Sequence, residues 1–401
     1  MTTDPSPPLL TCPKGRQALF DLYNGGLLRD TVPFWFPRSA DPEFGGFFSC
    51  YDRQGNLVDT DKSVWAQGRM CWMLLRLYDT VEPRPEWLAW AERGLKFLEE
   101  RCFDTDGRMY FQVTREGRPI RKRRYAYSES FAAIALAAWA RITGSSRAAD
   151  RAGELFRQYL DWNFTPGRMP PKFTAERPMI GLGPRMIAIV TAQELRRDLG
   201  EQAEFTAWID RCAEEIRTLF VKPELRSVME NVGPGGEVLD HFDGRTLNPG
   251  HAIEGAWFLL HEAKHRGDAQ LAALGCNMLD WMWERGWDPA YGGIFYFRDV
   301  YGKPVQEYWQ DMKFWWPHNE AIIATLLAYA MTGRLEYARR HQQVHDWSYR
   351  HFADPEYGEW FGYLRRDGQV SSELKGSLWK SFFHLPRMQW YCRQALQSET
   401  S

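Results

Sequence analysis

From Val64 to Tyr78 the chain is apolar around most of a helical circumference, whereas Trp87 to Glu100 keeps charged positions on its outer side. The pair recurs: Ser130 to Arg141 is almost wholly apolar, and Ala148 to Asp161 is amphipathic. A helix apolar on all sides is buried on all sides, and one with a single apolar stripe lays that stripe on a neighbour. The alternation predicts two concentric layers, with buried inner helices and half-exposed outer ones.

Between the helices lie segments that resemble one another. Asp41-Pro42-Glu43-Phe44-Gly45-Gly46-Phe47-Phe48 is echoed by Asp288-Pro289-Ala290-Tyr291-Gly292-Gly293-Ile294-Phe295 and by Asp354-Pro355-Glu356-Tyr357-Gly358-Glu359-Trp360-Phe361. Each runs through a few β-like residues to a second turn, at Gln54-Gly55, Tyr301-Gly302 and Asp367-Gly368, which predicts a short hairpin ahead of each buried helix. Weaker copies stand at Asp104 to Gly107 and Gly233 to Gly236, with an eroded one at Thr165-Pro166-Gly167. Starts near 41, 104, 165, 230, 288 and 354 make six units of about 60 residues, the kind of period that marks a repeat architecture. Six inner and six outer helices closed into a ring give an all-α fold, an (α/α)6 barrel with short β-hairpins at one end. An open helical solenoid is the structural alternative. With no linker-like stretch in mid-chain, one catalytic domain is expected over residues 1–401 (about 15–395 ordered), with short flexible termini.

Composition narrows the partners. The 401 residues are 44% hydrophobic and 15% aromatic, with 19 Trp, enough to fill a large core or line a sugar-binding groove. A net charge of −2 gives no global attraction to nucleic acid or an anionic membrane. The one basic run, Arg121-Lys122-Arg123-Arg124, reads as a solvated edge. Seven cysteines at scattered spacings fit reduced thiols in a cytoplasm. Met1 to Cys12 has no apolar signal core, and no run approaches 18 apolar residues.

Candidate chemistry begins at Asn248-Pro249-Gly250-His251-Ala252-Ile253-Glu254. Asn248 suits a helix cap and Pro249 the first helical position, so His251 lies in the first turn with Glu254 on the same side. The positive helix end favours a neutral, basic imidazole there. The bland alternative is a capping box around a structural histidine. Alignment of the units weighs against it. Counted from each Asp-Pro, Arg69, His318 and His384 fall at the start of their inner helices, and His251 does so in unit four. The barrel mouth is thus expected to carry Arg69, His251, His318 and His384, with Glu254 and Glu320 close by. His251 and Glu254 are of the right types for a metal, but metal sites usually pair His or Cys at i, i+4 spacing, which disfavours ligation there. No nucleophile motif, dinucleotide fingerprint or phosphate loop is present. Two neutral bases across a pocket suit moving a proton on and off carbon, with the glutamates orienting the rings and Arg69 stabilising an enediolate.

These motifs resemble the N-acylglucosamine 2-epimerase family. The likeness is carried by Trp65-Ala66-Gln67-Gly68-Arg69, by Asn248-Pro249-Gly250-His251 through Glu254, and by Trp315-Trp316-Pro317-His318 with Glu320-Ala321. It extends through Asp354 to Leu364 and Phe382-Phe383-His384 with Pro386-Arg387. The resemblance implies the same barrel and interconversion of N-acetyl-D-glucosamine and N-acetyl-D-mannosamine. It implies His251 and His384 as the catalytic pair, with Arg69, Glu254, His318, Glu320 and Trp316 around the substrate. It further implies ATP as an allosteric activator rather than a cofactor of the chemistry, and a homodimer. His318, and the absence of a histidine near Pro184-Arg185-Met186, favour acetamido sugars. A cellobiose 2-epimerase or aldose–ketose isomerase on the same barrel is the nearest rival. An inverting glycosidase is disfavoured because it needs two opposed carboxylic acids.

Overall fold

A computed structural model describes residues 7–398; residues 1–6 and 399–401, with the last of the polar tail, lie outside the described residues. In chain order its long helices are Pro13–Gly26 (α1), Val64–Thr80 (α2), Pro85–Arg101 (α3), Tyr127–Thr143 (α4), Ser146–Phe164 (α5) and Gly183–Leu199 (α6). There follow Ala203–Glu215 (α7), Pro249–Arg266 (α8), Ala269–Gly286 (α9), Trp315–Thr332 (α10), Leu335–His351 (α11) and His384–Ser398 (α12). The even-numbered helices touch one another in sequence, and α12 returns to α2, so they form a closed inner ring. This is the expected (α/α)6 barrel. Every residue of α10 from Trp315 to Ala328 is buried, which is why its sequence shows no polar face.

Each inner helix packs on the outer helix that follows it, with one exception. The outer partner of α12 is α1, so the first helix completes the last unit. Thr31 donates to Gln389 across this closure.

The repeated Asp-Pro turns sit at the end of the ring where the inner helices begin. Asp41, Asp288 and Asp354 are buried, and each Oδ1 accepts from the backbone N–H two residues on. Each is also paired with a buried lysine of its own unit: Lys62 at 2.8 Å, Lys313 at 3.1 Å and Lys375 at 3.1 Å. An arginine from the next hairpin around the ring completes each lock: Arg115, Arg366 and Arg53. A buried charge is tolerated only when paired, so these turns are specified by three side chains at once. In the third copy Glu359 replaces a glycine and holds a left-handed backbone (φ 56°), its carboxylate bonded to Trp35 and Lys380.

Neighbouring units are also joined strand to strand. Lys62–Ser63 pairs with Gln112–Val113, Ile180–Gly181 with Asn231–Val232, Thr246–Leu247 with Arg298–Asp299, and Lys313–Phe314 with Tyr363–Leu364. The eroded third copy makes no hairpin; residues 165–179 run irregularly along the rim. None of the seven cysteines is disulfide-bonded. Among the described residues no helix is long and apolar enough to cross a membrane.

Candidate active site

The inner helices start around a cavity of about 1140 Å³ that opens at the hairpin end and runs down the ring axis. Arg69, His251, Glu254, Trp316 and His384 line it. Five residues from four different helices reach one space because each lies within the first turns of its helix.

His251 is set by its cap. The Asn248 side chain accepts from the His251 backbone N–H at 3.1 Å, and Pro249 opens the helix, as the sequence indicates. The ring lies 5.0 Å from the Trp316 ring, centroid to centroid. Its Nδ1 meets both oxygens of Glu230, at 3.0 and 3.1 Å. Burial disfavours the charged ring, but the charge and hydrogen bond of Glu230 outweigh it and raise the pKa above the ordinary imidazole value. Two expectations are thereby corrected. The carboxylate that orients His251 is Glu230, not Glu254, and it overrides the helix dipole.

His384 is the first residue of α12. Its Nδ1 lies 2.8 Å from Glu320 Oε1, and Trp316 flanks it at 5.9 Å. Glu320 is fully buried and satisfied: Oε1 also accepts from Arg387, and Oε2 from the Trp257 indole at 2.8 Å. Arg387 donates to Glu254 as well, at 2.8 Å. Burial, reinforced by the charges of Arg387 and Arg69, holds the His384 pKa well below the ordinary value. Among the described residues neither His251 nor His384 has a protein partner on Nε2, so that nitrogen is free for the cavity in both rings.

Arg69 rests on the faces of Phe131 (4.0 Å) and Phe383 (4.6 Å), and its buried Nε has no hydrogen-bond partner. Burial and the nearby Arg387 push its pKa down to about 9 against the pull of Glu254 and Glu320, which leaves a cation at neutral pH that makes no ion pair among the described residues. Glu254, Glu320 and His384 bring possible ligand atoms within 4.8 Å of one another. Arg387 donates to both carboxylates, so a guanidinium holds the centre of this cluster.

His318 is the misplaced residue. It is 0% exposed and does not reach the cavity. Its Nε2 accepts from Ile294 N–H at 2.9 Å, its Nδ1 donates to the Phe314 carbonyl at 2.7 Å, and it stacks on Trp347. Gln67 does the same work in the first unit, accepting from Phe47 N–H and donating to the Ser63 carbonyl four residues back. Both are the fourth residue of their helix, whereas Arg69 and Glu320 are the sixth. At about 100° per residue, two positions turn a side chain to the opposite face. The register slip arose because the segment from the Asp-Pro turn to the helix is longer in unit five than in unit one.

Two further cavity residues carried no expected role. Arg387 follows His384 at i+3 and so shares its face, a spacing visible in the sequence. Glu230 comes from a loop whose backbone is tied to Leu182 and Thr246, a long-range contact with no local signal. Arg124, from the basic run read as a solvated edge, reaches the cavity wall.

The family model described as N-acylglucosamine 2-epimerase (GlcNAc 2-epimerase) matches residues 46–387. The N-acylglucosamine 2-epimerase of Bos taurus is 40% identical over 384 residues, covering 92% of this chain and 89% of that one. That of Homo sapiens is 38% identical over 389 residues, covering 93% and 89%. The structure of a cellobiose 2-epimerase from Bacillus thermoamylovorans is similar with a TM-score of 0.82 over 94% of this chain and 99% of that one; at 20% identity it speaks for the fold. A match that takes in both histidine corners, together with relatives alike along almost their whole length, shows that the chain is an isomerase of the N-acylglucosamine 2-epimerase family.

Proposed function

We propose that the chain interconverts N-acetyl-D-glucosamine and N-acetyl-D-mannosamine, one of His384 and His251 removing the C2 proton and the other returning a proton to the opposite face. The observation that carries this reading is one cavity holding two imidazoles of opposite proton preference, each anchored at Nδ1 by a carboxylate. Epimerisation at C2 needs a base on one face of a planar intermediate and an acid on the other, and a His pair does both near neutral pH. In the open-chain sugar, neutral His384 takes the C2 proton at Nε2. The C–H electrons become an enolate over C1 and C2, because C2 bears nitrogen rather than a hydroxyl. Arg69, a cation with no direct ion pair among the described residues, receives the oxygen charge. Protonated His251 then delivers its Nε2 proton to the opposite face, and Trp316, beside both rings, stacks on the sugar. The names of the relatives near 40% identity support the N-acyl substrate.

A proton NMR time course in D2O with N-acetylmannosamine, with and without ATP, tests it. Deuterium should enter C2 of the product, and conversion should exceed that of mannose or cellobiose at least tenfold, about 1.4 kcal/mol in transition-state binding. Equal or faster turnover of mannose with fructose as product would move the chain to the isomerase reading. ATP activation and a homodimer belong to the same reading and follow from the family resemblance, and a cytoplasmic site of action follows from the scattered cysteines.

A further inference from the structure

The cavity is deeper than a hexose held at its histidines requires. At about 1140 Å³ it exceeds the roughly 300–1,000 Å³ that encloses a drug-sized ligand. His251 and His384 stand in the first turns of their helices, yet the same cavity continues down to His261, ten residues further along α8. At 1.5 Å per residue that is about 15 Å nearer the far end of the ring.

The two ends of this space differ in chemistry. Above the histidines the walls include Asn163, Asn231, Arg124 and Lys172, which suit hydroxyl groups. Below the Arg69–Glu254–Arg387 level they are mainly apolar, with Ile134, Val190, Phe258 and Trp390 from four different inner helices and Thr191 beside Val190. The floor turns polar again, with His261, Tyr391, Gln193 and Glu194. Among the described residues neither the His261 ring nor the Tyr391 hydroxyl has a hydrogen-bond partner, so the floor suits water rather than hydrocarbon. A sugar whose C2 lies between the two imidazoles has its hydroxylated C3–C6 arm on one side and its N-acyl group on another. Polar walls above and apolar walls below fix which goes where.

We propose that the chamber below the histidines is an acyl-chain site, which receives the N-acyl substituent of the sugar and takes linear acyl groups longer than acetyl. This rests on the reading of C2 chemistry given above. Burying each added methylene is worth about fourfold in affinity, so a chain confined to the apolar stretch tightens binding as it grows.

The test is a series of N-acetyl-, N-propanoyl-, N-butanoyl- and N-hexanoylmannosamine. Binding is followed by intrinsic tryptophan fluorescence and turnover by NMR. N-hexanoylmannosamine should bind at least tenfold more tightly than N-acetylmannosamine and be epimerised within tenfold of its kcat/KM. Val190→Phe and, from the neighbouring inner helix, Ile134→Phe should each lower the hexanoyl-to-acetyl ratio of kcat/KM at least tenfold. A loss beyond 100-fold already at N-propanoyl, or filled variants that leave the ratio unchanged, would overturn the site. Longer chains that bind more tightly while no N-acyl sugar is epimerised would instead uphold the chamber and remove the epimerase reading. Should the variants fail to fold, the wild-type series decides alone.

Discussion

His384 and His318 stand at the starts of adjacent inner helices and are both buried, yet they do different work. His384 keeps one ring nitrogen on Glu320 and turns the other to the cavity. His318 has both nitrogens occupied by backbone groups and fastens the Ile294 hairpin to its helix. Burial favours the neutral form of both, with His318 pushed down to about 3. A lowered pKa therefore does not distinguish a base from a clamp; what does is whether Nε2 is left open. His251 is the third case, with Nε2 open and an unshared carboxylate that preserves its proton.

The comparison breaks most visibly at the cavity histidines. His251→Asn and His384→Asn should each lower turnover about 10²–10⁴-fold, the usual worth of a positioned acid or base, while melting temperatures stay within a few degrees. Near wild-type epimerisation in either variant would turn that ring into another clamp. His318→Ala should do the reverse. It leaves a buried N–H and a carbonyl unpartnered and opens a void beside Trp347, costing about 2–4 kcal/mol in urea unfolding, with kcat of the folded fraction unchanged.

The pH profile sharpens the contrast between the two open rings. Activity requires His384 neutral and His251 protonated, so the acid limb of kcat/KM should lie well below pH 6.5 and the alkaline limb above it. Glu230→Gln removes the charge that raises His251. It should cost about tenfold at neutral pH and move the alkaline limb downward, leaving the acid limb in place; a uniform loss with an unmoved profile would reduce Glu230 to a structural role.

The smallest effects belong to the clamp. His318→Gln should stay within about 1 kcal/mol of wild type, because Gln67 makes the equivalent pair of bonds, to Phe47 N–H and the Ser63 carbonyl, in unit one. Burial also lowers His341 to about 3 and His345 to about 4. These groups are depressed in the fold and ordinary when unfolded. Their stabilisation is present above about pH 6.5 and is lost as pH falls from there towards 4, the unfolded chain taking up protons that the fold excludes. Melting temperatures measured from pH 7 to 4 should decline, and less steeply in His318→Gln.

The barrel is legible in the sequence because helices apolar on every side alternate with helices apolar on one. The cap of His251 is legible because Asn248 and Pro249 act locally. His318 was misread because spacing from a turn does not measure rotation around a helix when the intervening segment changes length. Glu230 was invisible, lying 21 residues before His251 in a loop placed only by pairing across units. The basic run illustrates the same limit: charge predicts exposure for Arg124, but not that it stands at the cavity wall, and Lys122 is half-buried, paired with Asp104 and Asp106.

The pairing of α1 with α12 has a consequence for how the barrel is made. The first outer helix to leave the ribosome has no inner partner until the last inner helix is complete. Thr31 must meet Gln389 across 358 positions, and contacts of such separation form slowly because a long loop has to close first. Until then the apolar stripe of α1 and the open side of the ring, where α2 waits for α12, face water together. Five units can assemble in order as they are synthesised, but the sixth is shared between the two ends of the chain. Closing it is what turns a growing helical stack into a barrel with a floor and a mouth.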